Sequence, residues 1–263
     1  MRPRALIPVL LLLLAACAGP MPEASPLTRS PQTADDEPRV IPAVEPVPEP
    51  TPVWAGFAVT NGSSVTGLTA YSRRELDVYE SPDADEPWTT VEPLTILGTT
   101  TVLGVVGEPA GGWVEVMLPI RPNGSTGWVH TADVWLYVAD SEIVVDLGER
   151  RLTYIVDGVS VLETDIGIGS DYNQTPTGSF FVTDTVALAD PNSPWGPHAL
   201  GLSARSDTIT SFNGGDGIIG IHGTNNPSSI GGNISLGCVR LPNDMISLLY
   251  EMVPIGTRVE IRL

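Results

Sequence analysis

Apolar and polar residues alternate along most of the chain beyond residue 54, and helical spacing emerges in one place only. In Trp113-Val114-Glu115-Val116-Met117-Leu118 the two valines and the leucine share one face, the period-two pattern of a half-buried strand. Leu97 to Val106 is rich in β-branched residues without helical period and predicts a strand. Pro122-Asn123-Gly124-Ser125-Thr126-Gly127 is a turn, after which Trp128-Val129 resumes a strand. Short strands and Gly/Pro turns over residues 54–137 predict a small all-β barrel.

Residues 138–263 predict a second module, again mainly β. Glu142 to Leu147 and Arg151 to Val156 read as strands, Asp157-Gly158 as a two-residue hairpin turn, and Val159 to Ile168 as the third strand. Phe180-Phe181-Val182 and Gly217 to Ile221 follow as strands. The one prominent helix is expected over Pro242 to Val253, where Met245, Ile246, Leu248, Leu249 and Met252 recur at helical spacing behind an early proline. Gly256 lies past its end, and Thr257 to Leu263 closes the chain as a strand.

The first 53 residues carry no such pattern. Arg2 and Arg4 precede an apolar run from Ala5 to Ala16, shorter than the roughly 20 residues that span a bilayer, so it reads as an export signal. It ends in Leu14-Ala15-Ala16-Cys17, which resembles a bacterial lipobox and predicts lipidation of Cys17, with residues 1–17 as a lipoprotein signal peptide. Residues 18–53 hold ten of the 25 prolines among Ala, Ser, Thr and acidic residues, the composition of an extended linker. The expected location is outside the cytoplasm, anchored to the membrane through lipidated Cys17 and facing the cell wall or periplasm. All 13 basic residues are arginine, and 31 acids give a net charge of −18, which argues against nucleic acid as a partner.

Candidate chemistry centres on cysteine. The chain has two, and lipidation would remove Cys17 from disulfide pairing, leaving Cys238 as a lone thiol in an exported protein. Cys238 lies in Ser235-Leu236-Gly237-Cys238-Val239-Arg240, sixteen residues after His222 in Gly220-Ile221-His222-Gly223. A thiol near pKa 8.5 becomes a nucleophile at neutral pH with the help of an imidazole or oriented amides. A buried structural cysteine is the competing reading. His130 is expected to face solvent or cap a strand, and His198 to sit in a loop or at a strand end, with a place in the cleft beside Trp195 as the alternative. One available thiol and three scattered histidines form no zinc-binding spacing, and no metal or cofactor is expected.

Two resemblances follow. Leu76-Asp77-Val78-Tyr79 with Pro82, Gly112 to Val116 and Gly127-Trp128-Val129 resemble a bacterial SH3-like domain, which implies cell-wall binding or a spacer role. Residues 138–263 resemble the L,D-transpeptidase catalytic domain, the YkuD family: the hairpin, Thr175-Pro176-Thr177-Gly178, Ile221-His222-Gly223-Thr224 and Ser235 to Leu241 occur in that family's order. The implied fold is a β-sandwich with one helix. The resemblance implies Cys238 as nucleophile, His222 as base, the Gly223 carbonyl as its orienter, and amides around Gly237 and Cys238 as oxyanion donors. It implies substrate contacts from Arg240, whose alternative is a surface ion pair, from Trp195, and loop support from Ser235. One departure stands out: Leu236 occupies a position that is commonly histidine in the family.

The implied partners are peptidoglycan stem peptides, acted on by a monomer. The implied reaction is acyl transfer from a tetrapeptide stem to an amine with release of D-Ala, and sensitivity to carbapenems. Water as acceptor would make a carboxypeptidase of the same residues, and a catalytically degenerate wall-binding lipoprotein is the rival from another class. A papain-like hydrolase fits poorly, since there the cysteine precedes the histidine.

Overall fold

The computed structural model describes residues 67–212 and 215–263. The predicted signal peptide with Cys17, the predicted linker and the first residues of the predicted barrel lie outside the described residues. Seven short strands form the N-terminal half: β1 (Leu68–Ser72), β2 (Leu76–Val78), β3 (Thr89–Val91), β4 (Val102–Gly104), β5 (Trp113–Met117), β6 (Thr126–His130) and β7 (Val134–Val138). The ladders β7-β1-β4, β5-β6 and β2-β3 are joined by single bridges, Val105 to Val116 and Tyr79 to Trp128. The strands therefore follow one another as a strongly bent sheet around Leu76, Val78, Leu103, Val114, Val116 and Val129.

One expectation for this half fails. The strand over Leu97 to Val106 shrinks to β4, because the Thr95 hydroxyl accepts the N–H groups of Leu97 and Thr99 and closes a turn through left-handed Gly98. Leu97 is exposed there, so β-branched content overstated the strand. His130 is half-buried at the N-cap position of a 3-10 turn, Thr131–Asp133, and its ring lies 3.7 Å from that of Trp113, beside Tyr79.

The second half contains β8 (Ser141–Asp146), β9 (Arg151–Val156), β10 (Val159–Asp165), β11 (Ile168–Gly169), β12 (Gly178–Ala187), β13 (His198–Arg205), β14 (Ile218–His222), β15 (Asn233–Ser235), β16 (Val239–Arg240), α1 (Asn243–Met252) and β17 (Arg258–Arg262). Asp157 and Gly158 both adopt left-handed φ, as the tight hairpin between β9 and β10 requires. The predicted third strand breaks after Asp165, and β13 was not foreseen. The strand order is β10-β9-β8-β17-β12-β13-β14-β16.

The layout depends on β12. Its first residues, Gly178–Phe181, pair with β17, and its later ones, Val182–Ala187, pair with β13 across a register shift. One strand thus serves both limbs of the sheet, and the bend between them lets Leu152 and Tyr154 share a core with Leu200, Ile219, Ile221 and helix residues Ile246 and Leu249. Phe180 faces this core, whereas Phe181, 1% exposed, is buried in the core of the N-terminal half. The two halves are therefore packed together through a side chain of the long strand.

Candidate active site

Parallel pairing of β14 with β16 sets the site. Ile221 lies opposite Val239 and His222 opposite Arg240. Side chains alternate along strands, so Gly220 and His222 share one face of β14, and Arg240 stands beside the histidine. Cys238 immediately precedes β16. The Gly220 N–H donates to its sulfur at 3.4 Å.

His222 is buried, and its Nδ1 lies 2.6 Å from the Gly223 carbonyl oxygen. A carbonyl only accepts, so Nδ1 carries the proton and the Nε2 lone pair is left for an incoming proton. Burial is the main cause that lowers its pKa to about 4; the Gly223 bond opposes this and the Arg240 charge adds to it. The Trp195 ring stacks over the imidazole with centroids 5.3 Å apart. Close backbone packing permits that approach: Gly196 has left-handed φ, and a Cβ there would stand 2.7 Å from the Gly223 Cα. Asn243, at the start of α1, accepts the Thr224 N–H at 2.7 Å, and the His198 carbonyl accepts that of Gly223.

The nucleophile loop is held by side chains. The Ser235 hydroxyl donates to the Cys238 carbonyl at 2.6 Å and accepts the Gly237 N–H at 3.1 Å. Buried Thr175 donates to the Gly237 carbonyl at 2.8 Å and accepts the Gly169 N–H. Gly237 has φ +116°, and a side chain there would meet Ile219 at 2.9 Å. With its N–H engaged by Ser235, the neighbouring Cys238 N–H, which makes no hydrogen bond within the described residues, is the free amide of this turn. Burial pushes the Cys238 thiol up from its ordinary value, opposed by the Gly220 N–H and by Arg240. Thiol and imidazole are therefore both neutral at rest.

Arg240 makes no ion pair among the described residues, so the surface-pair reading fails; its buried Nε lacks any acceptor. Its main chain exchanges two bonds with Gly167. Leu236 is half exposed between two buried neighbours. His198 does not join the pair: its ring stacks on Tyr250 and bonds Ser247, both on α1. The segment Asn225 to Asn233 contains a 3-10 turn at Pro227–Ser229 with Ser229 buried. The structure thus brings Cys238, His222, Gly223, Gly237, Ser235, Arg240 and Trp195 together. Sequence reasoning missed Gly220, Gly196 and Asn243; a glycine inside a strand was the available signal for the first.

The arrangement is that of a thiol beside an oriented neutral base, a free amide and an unpaired cation, suited to acyl transfer. A family model described as the L,D-transpeptidase catalytic domain, YkuD, matches residues 140–261. The YkuD protein of Bacillus subtilis is 35% identical over 125 residues, covering 48% of this chain and 68% of that protein. YqjB of the same organism is 32% identical over 131 residues, covering 46% and 70%. ErfK/SrfK of Salmonella typhimurium is 34% identical over 175 residues, covering 56% and 52%. The chain thus spans about two thirds of the first two relatives and half of the third. Shared sequence over the segment that builds this thiol and imidazole site makes the chain a member of the L,D-transpeptidase family.

Proposed function

We propose that the chain cross-links peptidoglycan by cysteine-dependent acyl transfer between stem peptides. The observation that carries this reading is the His222 imidazole, fixed by Gly223 with Nε2 free, on the strand face where the Gly220 N–H holds the Cys238 sulfur. His222 takes the thiol proton as sulfur attacks the carbonyl of the stem's third residue. The C–S bond forms, and the Cys238 N–H donates to the developing oxyanion. As the tetrahedral intermediate collapses, the C–N bond breaks and D-Ala leaves with the proton from His222, giving a thioester. An amine of a second stem then attacks, gives its proton to His222, and displaces the sulfur, which recovers that proton. Arg240, with an unpaired Nε, binds a stem carboxylate, and Trp195 covers the base.

The oriented base speaks against a degenerate binding protein. Water in place of the amine would give a carboxypeptidase, which the product distinguishes. On the same reading Cys17 is the lipid anchor, residues 18–53 are the linker, and residues 54–137 form an SH3-like spacer, a role consistent with seven short strands in one bent sheet. Incubation with a purified disaccharide-tetrapeptide and, separately, with a carbapenem tests the reaction. Free D-Ala and a cross-linked dimer are expected, together with a carbapenem adduct on Cys238. No D-Ala and no adduct would refute the proposal.

A further inference from the structure

Arg121 and Asn123 lie outside the matched catalytic segment, in the turn between β5 and β6, yet their polar groups are spent on the segment that leads into β14. The Arg121 guanidinium donates to the carbonyls of Ser206, Ile209 (3.0 Å) and Asp216 (3.2 Å), and its Nε to the Asp216 carboxylate (3.2 Å). Asn123 donates to the Arg205 carbonyl at 2.7 Å and accepts the Arg205 N–H at 2.8 Å, the pair of bonds a neighbouring strand would make. Arg205 answers with a bond to the Pro119 carbonyl and an ion pair to Asp216. The described residues between β13 and β14 are thus fastened at both ends, at Ser206 and at Asp216, by the N-terminal half.

That segment reaches the site in two directions. Ile218, its next residue, begins the strand that carries Gly220 and His222. Thr208 donates to the Asn173 side chain at 2.9 Å. The Asn173 and Gln174 carbonyls back Gly237, 4.0 and 3.5 Å from where a side chain would begin. Thr175, next in sequence, holds the Gly237 carbonyl.

We propose that Arg121 and Asn123 are positioning residues for acyl transfer: through Thr208 and Asn173 they fix the turn behind Gly237 and so the direction of the Cys238 N–H. The proposal rests on Cys238 being the nucleophile. Its substrate-independent part is the coupling of the clamp to residues 170–175, which neither residue touches. A guanidinium that satisfies several carbonyls of one irregular segment holds it against fraying more firmly than single bonds would.

The full-length R121A, N123A and R121K variants test this by three readouts. For R121A and N123A, kcat for D-Ala release should fall about tenfold with KM within about twofold, since misplacement by an ångström costs up to 10²-fold. Alkylation of Cys238 by iodoacetamide, a displacement that needs no oxyanion donor, should stay within about twofold of wild type. Amide exchange at residues 170–175 should quicken along with that at 206–217, and R121K should recover part of kcat. An unchanged kcat, or faster exchange confined to 206–217, would overturn the proposal, as would equal loss of turnover and alkylation in N123A, the milder variant should R121A not fold. If wild type releases no D-Ala, the reading of the reaction fails, and exchange at 170–175 alone then decides the coupling.

Discussion

His222 and Cys238 reach one face of the sheet by different means. The histidine is held locally: its ring bonds the carbonyl of the next residue, and its strand is paired on both sides, to β13 and to β16. The cysteine sits just outside a two-residue strand, in a turn fixed by Ser235 nearby and by Thr175, 62 positions away from Gly237. The ring of the base is thus oriented by its immediate neighbour in sequence, whereas the turn of the nucleophile is fixed in part by a distant residue. Damage to the first should, at neutral pH, change chemistry more than stability; damage to the second should change chemistry and stability together.

Breaking the local arm gives the largest expected effect. His222→Ala should lower the rate of D-Ala release by about 10²–10⁴, the range for a general base, while far-ultraviolet circular dichroism stays as in wild type. Equal loss of secondary structure would show that the ring acts mainly as packing.

The depressed His222 pKa gives the next effect. Folded His222 titrates near 4 and unfolded histidine near 6.5, so between these values the unfolded chain binds more protons. Stability should therefore decline as pH falls from 6.5 and be lower by about 3 kcal/mol near pH 4. Chemical denaturation across this range should show the slope in wild type and its loss in His222→Gln. The acid limb of kcat/KM should likewise fall near pH 4 and not near 6.5. A limb near 6.5 would mean that the imidazole is not desolvated.

Changes to the long-range arm come next. Gly237→Ala places a side chain at left-handed φ and against Ile219, a strain of about 1–3 kcal/mol, and it should lower both melting temperature and D-Ala release. A variant with wild-type stability and rate would show that the turn does not need glycine. Thr175→Val and Ser235→Ala should each cost about 1–3 kcal/mol, because each leaves buried main-chain groups without partners. Urea denaturation of both variants and of the double variant measures whether the two hydroxyls act as one support.

How much of this was legible in the sequence follows the same division. The hairpin at Asp157-Gly158, the helix over Asn243–Met252 and the His222-Gly223 and Gly237-Cys238 pairs depend on neighbours in the chain and were read there. Strand β13 escaped notice because Ala199 to Arg205 mixes Gly201, Ser203 and Arg205 with apolar residues, and it is buried on both faces while β12 and β14 pair along its two edges. Phe181 could be assigned to a strand, but not to the core of the other half, since that depends on where β12 lies between the limbs. Gly196 and Asn243 acquire their roles only through contacts with Gly223 and Thr224, which no local pattern encodes.

The central claim is that Cys238 forms a thioester by expelling D-Ala. Intact and peptide mass spectrometry after brief incubation with a disaccharide-tetrapeptide, without an amine acceptor, tests it most directly. The expected result is the substrate less D-Ala attached to the peptide that contains Cys238, absent from Cys238→Ala, which should also release no D-Ala. Release of D-Ala by Cys238→Ala at the wild-type rate, or an adduct on any other residue, would contradict it.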